Sequence, residues 1–500
     1  YKRESVLIIN PDQSVCKALN KFLKNQNREF ICLENKIKQI FTVIIMRVGS
    51  LIRGLYVIYK LCRRRYIARK YLQRHLEEKI KKDGEYYIIK TFIYQRSFGS
   101  DGNYSDSFFG ILPKYLTDNG KEVIVLGYLF GEYAKIIKII SRCKNFTILP
   151  QEYLFSYWEI IKTGISFLRN KIRIRGRIDF LGLDVSDIVA SEIDKDYSNG
   201  GAFWQYVHYL CIKNLLKMIK IDTFILTYEN NPWERMCISA LKEFSPITKI
   251  IGYQHTVVPQ AATNVFLSEH DIDTAPLPHK ILTAGIIPKR IMEHYGDYRN
   301  IPIEEACALR FEYLFNLDIS PRSRKRRILV ALDGAFDVYK LVNYVLGESK
   351  DMNFFEVKIR DHPAVPYHCY RNKVKYNIET LPNVSLSKSV SVKDDIAWCD
   401  MVIYWGSTVA LEALMIGKPI IHFDTRSVLS YDPLFESKDL KWIVTENDRL
   451  CKIIEEIYTM SDESFHLQQQ KAREYLKNYF YTVNEDRLQR FLHSLDNTKI

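Results

Sequence analysis

The chain has 500 residues, of which 47% are hydrophobic and 26% are charged, so it is a globular protein large enough for two or three domains. Its formal net charge of +13, from 72 basic and 59 acidic residues, indicates an anionic partner: nucleic acid, a membrane surface or a phosphorylated ligand. The basic excess is concentrated at residues 60–82 and 322–327, and no helix-turn-helix, RNP or zinc motif accompanies it, so a nucleic-acid-binding protein is not expected.

The cysteines indicate a reducing compartment. There are 10 of them, with no CxxC pair and no Cys/His set at zinc spacing, so we expect reduced and mostly buried thiols in a cytoplasmic protein. No signal peptide is visible, and because the chain opens on Tyr1 rather than Met, the sequence leaves open whether its N-terminus is complete. The most apolar segment, 37–61, contains Arg47 and Arg53 and is not expected to span a bilayer.

The N-terminal region predicts a strand at 6–9, a helix at 13–24 and a long helix over 36–82. The long helix is apolar in its first half and densely basic in its second half. Such a succession is typical of an interfacial helix that lies on anionic lipid. It also fits a core helix followed by a solvated one, which is the interpretation we favour.

Strands and helices alternate from residue 86 onward. The predicted strands are 87–94, 122–127, 146–149, 223–228, 249–254 and 281–285, and the predicted helices are 108–119, 153–169 and 203–220. A polar connector of helical character is expected at 302–316. This alternation predicts a doubly wound parallel sheet.

A second alternating block follows the basic run at 322–327. Its predicted strands are 328–333, 354–360, 384–386, 401–404 and 420–423, and its predicted helices are 336–347, 392–399, 409–416, 463–480 and 484–495. Gly417 is expected as the residue that ends the helix before it. The fold class is therefore α/β, with two Rossmann-like doubly wound domains that face across a cleft and a helical N-terminal insertion.

The expected domain boundaries follow from these blocks. They are an N-terminal Rossmann-like domain at 1–295 that includes the basic helical segment 36–82, a linker at 296–327, a C-terminal domain at 328–480 and a tail helix at 481–500. Residues that directly follow strands lie at the carboxyl edge of a parallel sheet, where ligands bind. The candidate site residues are therefore sought there.

The stretch MVIYWGSTVALEALMIGKPIIHF, at 401–423, predicts a strand, a turn and a helix start that suits phosphate. Gly406, Ser407 and Thr408 would direct backbone N–H groups and two hydroxyls towards one point. Glu412 lies four residues after Thr408 on the same helical face, where its carboxylate could reach a ribose. An ordinary capped helix is the alternative interpretation.

Two further loops of this block end strands. Asp333 and Gly334 follow the first strand, and Asp361, His362 and Pro363 follow the second. A histidine in this position can donate a hydrogen bond to a phosphate oxygen and protonate a departing phosphate. We therefore predict nucleotide or phosphate binding by Gly334, His362 and Pro363, and a catalytic role for His362.

Glu229 is the candidate general base, because it directly follows the apolar strand at 223–228. A carboxylate at a sheet edge can take the proton of an acceptor hydroxyl as that hydroxyl attacks an anomeric carbon. Alternatively, Glu229 caps the helix that begins near Pro232, or it pairs with Arg235.

Three other residues are candidate ligands of the donor or the acceptor. His255 follows the strand at 249–254, and Asp101 lies in a polar loop after an earlier strand. Glu234 lies inside a predicted helix, where contacts at the helix end or a salt bridge are the simpler expectation. His255 could equally be an ordinary turn histidine.

The sequence VKIRDHP, followed by PNVSLSKSVSVKDDIAWCDMVIYWGSTVALEALMIGKPIIHF, resembles the donor domain of glycosyltransferases of the B-type fold (GT-B). It is most similar to bacterial sialyltransferases and Kdo transferases, which use CMP-activated sugars. In that family the HP motif, here His362 and Pro363, and the Ser/Thr motif, here Ser407 and Thr408, contact the CMP phosphate. The resemblance implies the same contacts in this chain.

A second resemblance involves TYENNPWERMCISALKEF and IIGYQHTVVP, which are similar to stretches of bacterial O-antigen and capsule biosynthesis proteins. Together the resemblances cover about residues 86–480 at the level of the fold. One pattern is missing: many retaining GT-B enzymes carry two glutamates eight positions apart, and with Glu412 as the second the first falls at Tyr404. The resemblance therefore does not identify the general base.

No metal is expected at the site. Asp271 and Asp273 form a D-x-D, the metal-binding signature of the other major glycosyltransferase fold, but they lie in a polar loop rather than between apolar strands. A CMP-sugar has one phosphate, whose charge does not require a divalent cation. We therefore expect a metal-independent, nucleotide-sugar-dependent enzyme without a further cofactor.

The first functional hypothesis is a glycosyltransferase that moves an acidic sugar (Kdo, sialic or a related nonulosonic acid) from a CMP donor to a bacterial surface glycan, such as lipopolysaccharide, O-antigen or capsule. The alternatives are a UDP-sugar glycosyltransferase or a CDP-glycerol-type phosphotransferase of the same fold, and a non-catalytic glycan-binding or scaffold protein. The expected partners are a nucleotide sugar and a glycan or lipid-linked glycan acceptor. The segment 36–82 adds the expectation of peripheral attachment to the inner face of the cytoplasmic membrane.

Overall fold

The computed structural model describes residues 13–25 and 36–492, apart from 171, 173, 353 and 390. The strand predicted at 6–9 lies outside these residues, as do positions 493–495 of the helix predicted at 484–495, which in the structure already ends at Gln489. The chain divides into two compact units: the first comprises Tyr1–Tyr104, Val123–Asp222 and Pro232–Thr248, and the second comprises Ser105–Glu122, Thr223–Asn231 and Lys249–Ile500.

The strands of the described part are β1 (Glu85–Ile93), β2 (Val123–Leu129), β3 (Thr147–Pro150), β4 (Asp179–Phe180), β5 (Leu183–Asp184), β6 (Lys220–Thr227), β7 (Lys249–Gln254), β8 (Lys280–Thr283), β9 (Ile303–Glu305), β10 (Arg327–Ala331), β11 (Glu356–Arg360), β12 (Val384–Leu386), β13 (Met401–Tyr404), β14 (Ile420–Phe423) and β15 (Lys441–Val444).

The helices are α1 (Gln13–Asn25), α2 (Lys36–Lys79), α3 (Leu112–Asp118), α4 (Tyr133–Ile140), α5 (Tyr157–Arg169), α6 (Ser186–Ser198), α7 (Gly201–Leu215), α8 (Pro232–Phe244), α9 (Glu269–Thr274), α10 (Ile286–Tyr295), α11 (Tyr339–Ser349), α12 (Val392–Trp398), α13 (Val409–Met415), α14 (Leu450–Thr459), α15 (Asp462–Tyr479) and α16 (Glu485–Gln489). Among these helices, none combines the length and the apolar character that a membrane crossing requires.

The first sheet has the strand order β3-β2-β1-β6-β7-β8-β9. Its paired strands run parallel, for example with Ile89 of β1 opposite Val125 of β2 and Ile251 of β7 opposite Lys280 of β8. The sequence of β1 is an almost continuous apolar run, and nearly all of its residues are buried. Such runs are typical of parallel strands that are covered on both faces.

The second sheet has the order β12-β11-β10-β13-β14-β15 and is also parallel. Side chains of β10 alternate between two hydrophobic clusters: Ile328 and Val330 belong to one, and Leu329 and Ala331 to the other. This period of two is the one that a strand buried on both faces requires. The strand order reverses between β10 and β13, so the ligand-binding edge of this sheet lies beyond the carboxyl ends of these strands.

The two sheets confirm the predicted fold class, an α/β protein with two Rossmann-like domains and a helical N-terminal region. The long helix α2 buries one stripe, formed by Gly54, Ile58, Leu61, Ala68, Leu72 and Leu76. From residue 44 to residue 59, most of its other apolar side chains are exposed. The favoured interpretation of the apolar half as a core helix is therefore wrong, because a core helix would bury apolar side chains on every face.

Three other predicted elements differ from the structure. The helix predicted at 108–119 begins only at Leu112, because Asp106 Oδ1 accepts the N–H groups of Phe108 and Phe109 and holds a turn there. The helix predicted at 203–220 ends at Leu215, and Lys220 already begins β6. The predicted helical connector at 302–316 contains β9 and a short 3₁₀ turn, since Ile301 and Ile303 alternate inward with the period of a strand.

Candidate functional site

Three loops of the second sheet meet at its carboxyl edge. They follow β10, β11 and β13. Two glycines, Gly334 and Gly406, lie where one loop approaches another. A Cβ at Gly334 would lie 3.3 Å from Nδ1 of His362, and a Cβ at Gly406 would lie 2.8 Å from Oδ2 of Asp333. The sequence-predicted residues Gly334, His362 and Gly406 are thus brought together, and larger residues at the two glycine positions would separate the loops.

The ring of His362 has a defined tautomer. The backbone N–H of Ala364 donates to its Nδ1 at 3.2 Å, so the neutral imidazole carries its proton on Nε2. His362 is half-buried, and the adjacent Pro363 is exposed. Asp361 fixes this loop, because its carboxylate accepts the N–H of Tyr367 at 2.7 Å and the hydroxyl of Tyr370 at 2.5 Å. The histidine therefore presents a hydrogen-bond donor from a braced loop.

Asp333 connects the loops after β10 and β13. Burial raises the pKa of its carboxyl group, while the N–H groups of Ala335 and Gly406 and the nearby His362 act in the opposite direction. The bond from Ala335 to Oδ1 is 2.9 Å long. Because one carboxylate accepts from two loops, it fixes the position of Gly406 next to Asp333.

The cap of α13 lies at the predicted pair Ser407 and Thr408. Thr408 occupies the N-cap position but its side chain caps nothing, whereas Ser407 Oγ accepts the N–H of Val409 at 3.4 Å. Ser407 is buried and Thr408 is half-buried. The hydroxyl of Ser407 therefore lies at the sheet edge, next to Gly406.

Glu412 is buried within α13, and the hydroxyl of Tyr313 donates to its Oε2 at 2.6 Å. Burial raises the pKa of Glu412, and Tyr313, Arg310 and Lys393 partly offset this shift. One carboxylate oxygen is thus already hydrogen-bonded. At the position where a first glutamate would stand, the buried Tyr404 donates from its hydroxyl to Asp432 at 2.8 Å.

Glu229 follows β6 in a loop that side-chain amides hold. Nδ2 of Asn231 donates to Oε2 of Glu229 at 2.9 Å, and Nδ2 of Asn264 donates to the backbone oxygen of Glu229. Asn230 has a φ of +58° and donates from Nδ2 to the backbone oxygen of Asn264 at 2.7 Å. Burial raises the pKa of Glu229, while Asn231 and Arg310 act against this shift.

His255 follows β7 and is 4% exposed. Among the described residues, its Nδ1 has no hydrogen-bond partner. Burial, with a smaller contribution from the charge of Arg310, lowers its pKa well below the usual value, so the ring is neutral. Its centroid lies 5.0 Å from that of the Phe108 ring.

Arg310 is the residue that connects these groups, and the sequence reasoning did not identify it. Its charge acts on the pKa of Glu229, His255 and Glu412. Its guanidinium carbon lies 5.2 Å from the centroid of the Phe108 ring. The sequence does contain a signal for it, namely a single arginine within the apolar run ACALRF. An arginine in such a run usually has a specific charged partner.

Two predicted candidates belong to the first unit. Asp101 is exposed and accepts the N–H of Asn103 at 3.0 Å and its Nδ2 at 2.7 Å, and these bonds lower the pKa of Asp101. Glu234 is 1% exposed within α8. Neither residue belongs to the second unit, which contains the other candidates.

The D-x-D aspartates lie in α9. Asp271 forms a capping box with Ser268, whose N–H and hydroxyl donate to Oδ2 at 3.0 and 2.8 Å. Within the described residues, no group of three histidine, cysteine, aspartate or glutamate side chains is arranged to hold a metal ion.

No protein-family model and no curated protein sequence matches this chain. Solved structures do match at low identity. The chain is similar to the glycotransferase of kitacinnamycin, with 11% identity over 83% of this chain and 100% of that one, at a TM-score of 0.46. It is similar to a glycosyltransferase from Rickettsia africae ESF-5, with 14% identity over 82% and 97% and a TM-score of 0.45.

A third similar structure is the S. aureus MnaA-UDP co-structure, with 10% identity over 81% of this chain and 95% of that one, at a TM-score of 0.46. All three TM-scores are below 0.5.

Proposed function

We propose that the chain is a metal-independent glycosyltransferase that uses a nucleotide-sugar donor. The observation that carries this proposal is the cluster in the second unit around Phe108, whose ring lies 5.0 Å from that of His255 and 5.2 Å from the guanidinium carbon of Arg310. The charge of Arg310 also acts on Glu229 and Glu412. The edge formed by Gly334, His362 and Gly406 adds a place for a phosphate. A cation, a carboxylate base and a phosphate edge are the groups that transfer of a glycosyl unit from a phosphate requires.

The proposed donor side is the edge of the second sheet, in the domain at 328–480. His362 would donate from Nε2 to a phosphate oxygen, and Ser407 would add its hydroxyl. As the bond between the anomeric carbon and the phosphate oxygen breaks, the electron pair goes to the departing nucleotide. A proton or hydrogen bond from His362 stabilises that oxygen.

Glu229 is the proposed general base. Its carboxylate would take the proton of the acceptor hydroxyl while the hydroxyl oxygen forms the new bond to the anomeric carbon. Burial raises the pKa of this group, and a base must be deprotonated to act. The rate should therefore rise with pH through a pKa above that of an ordinary glutamate, which is about 4.3.

The donor is proposed to be a CMP-linked acidic sugar. The carboxylate of such a sugar needs a cation, and Arg310 and Lys393 both act on the buried Glu412. Lys393 Nζ lies 4.2 Å from the centroid of the Tyr313 ring, close to the hydroxyl that binds Glu412. A glycan or lipid-linked glycan of a bacterial surface is the proposed acceptor, and the inner face of the cytoplasmic membrane is the proposed location.

A thermal-shift series with CMP, UDP and CDP tests the donor. A ligand that binds only the folded protein raises its melting temperature. Stabilisation by CMP alone supports the proposal. Stabilisation by UDP alone would indicate a UDP-sugar donor, and stabilisation by CDP alone would indicate a CDP-linked donor. The absence of a shift with any nucleotide would contradict an enzyme of this class.

Two variants then test the roles of the residues. His362→Ala should abolish the nucleotide shift, whereas His368→Ala, which alters an exposed histidine after the same strand, should leave it intact. Glu229→Gln should keep the shift but lower kcat by about 10²-fold or more, as expected for loss of a general base. A His362→Ala protein that is folded and fully functional in cells would favour the non-catalytic scaffold.

A further inference from the structure

The first half of α2 presents apolar side chains to solvent. Ile45, Val48, Ile52, Leu55, Tyr56 and Tyr59 are between 50% and 66% exposed. From the first to the last, this part of the helix is about 21 Å long at ~1.5 Å per residue. Contiguous exposed apolar surface of this kind marks an interaction site rather than ordinary surface composition.

Helix α5 extends the same surface. A Cβ at Gly164 would lie 2.6 Å from Ile58, and Gly54 is in close contact with Leu168, so α2 and α5 pack against each other in antiparallel directions. On α5, Trp158 is 72% exposed, and Ile161 and Ile165 are 40% and 37% exposed. Their spacing of three and four residues puts them on one helical face.

The two exposed faces adjoin. Leu55 and Tyr59 each lie one residue, about 100° of helical rotation, past Gly54 and Ile58. Ile161 and Ile165 lie the same rotation past Ile160 and the contacting Gly164. Because the helices are antiparallel, both rotations turn towards the same side. The result is one apolar surface across two helices.

The charge of α2 itself is of one sign as far as residue 76. Between residues 36 and 76 the sequence contains no aspartate or glutamate, although it contains several arginines and lysines. Arg63 and Lys70 are exposed beyond the apolar half of α2, and Lys162 and Arg169 are exposed on α5. Tyr56, Tyr59 and Trp158 are residue types that prefer the boundary between water and acyl chains.

We propose that this α2–α5 surface docks onto an anionic lipid bilayer and lies in its interface. Apolar side chains flanked by cations and aromatic rings fit the acyl boundary and the negative headgroups together. A second copy of the chain would instead bring two positive surfaces together, which is unfavourable. This proposal rests on the proposed peripheral location, and the α2–α5 surface is the part of the chain that would attach to the membrane.

Vesicle flotation with the full chain tests the proposal. Vesicles of phosphatidylcholine with phosphatidylglycerol should bind the protein, and vesicles of phosphatidylcholine alone should bind it much less. Arg63→Gln with Lys70→Gln should weaken binding to the anionic vesicles by roughly fivefold for each cation removed. Ile52→Glu with Leu55→Glu should abolish binding.

Ile247→Glu is the matched control, because Ile247 is 89% exposed elsewhere on the same unit and its replacement should leave vesicle binding unchanged. The nucleotide thermal shift of every variant should equal that of the wild type, so failure of this surface is distinguishable from failure of the donor site. Equal binding to both kinds of vesicle, or binding that survives both double variants, overturns the proposal. A dimer that Ile52→Glu with Leu55→Glu dissociates would overturn it in favour of a second copy.

Discussion

Arg310 has three ionisable neighbours, and burial disfavours the charged form of each one. Burial raises the pKa of Glu229 and Glu412 and lowers that of His255, so each of the three is driven towards its neutral form. The guanidinium keeps its charge at any physiological pH. A half-buried cation beside groups that burial drives towards neutrality attracts an anion, which is why Arg310 suits a donor carboxylate or phosphate.

The raised pKa of Glu412 predicts a pH-dependent stability. A carboxyl group whose pKa is higher in the folded than in the unfolded state contributes stability below its unfolded pKa, and this contribution is lost as the pH rises through the folded pKa. Glu412→Gln removes the titration and leaves an oxygen that can accept from Tyr313. In urea unfolding, the variant should therefore gain stability relative to the wild type between pH 4, near the unfolded-state pKa of about 4.3, and pH 7.5.

The exposed Glu455 provides the control for this comparison. Glu455→Gln should change stability by the same amount at both pH values, since an exposed carboxylate has no burial penalty to lose. If Glu412→Gln behaved like Glu455→Gln, the buried carboxylate would not be the source of the pH dependence.

Gly417 ends α13 in the conformation that the sequence predicts. Its φ is +78°, and the N–H groups of Gly417 and Lys418 donate to the oxygens of Leu414 and Ala413, both at 2.9 Å. A Cβ here would lie 2.6 Å from Nε2 of Gln469, which itself donates to the backbone oxygen of Gly417 at 2.7 Å. The glycine thus serves both the helix end and the packing of α15.

Gly417→Ala should destabilise the protein by more than the backbone strain alone, which is about 1–2 kcal/mol. Gly120 is a matched control, because it follows α3 with a φ of +75° and a Cβ there would meet nothing within 4 Å. We expect Gly120→Ala to cost about 1 kcal/mol and Gly417→Ala to cost roughly 1–3 kcal/mol more through overpacking. Equal losses in chemical unfolding would show that Gln469 relaxes freely.

The elements that the sequence predicts well are those whose signal is local. The apolar runs of β10 and β13 and the glycine after α13 define their own conformations. The segment at 302–316 is different, because Glu304 and Glu305 hide the alternation of Ile301 and Ile303. In this case, pairing with β8 decides the structure, and that partner lies elsewhere in the chain.

The same distinction applies to the site across the whole molecule. His362 and Ser407 follow strands, so their position at a sheet edge is visible in the sequence. Arg310 is not visible in this way, since Glu229, His255 and Glu412 approach it from three distant segments. The exposure of the apolar half of α2 is equally hidden, because hydrophobic pattern alone does not tell which faces of a helix have partners.

The two proposals predict separate footprints in hydrogen–deuterium exchange of the full chain. Nucleotide should slow exchange in the loops after β10, β11 and β13, since a bound phosphate holds their backbone N–H groups. Anionic vesicles should instead slow exchange in α2 and α5, where lipid excludes water. Ile52→Glu with Leu55→Glu should remove only the vesicle footprint, and His362→Ala only the nucleotide footprint. A vesicle footprint in the loops of the second sheet would assign lipid binding to the donor edge and contradict the α2–α5 surface.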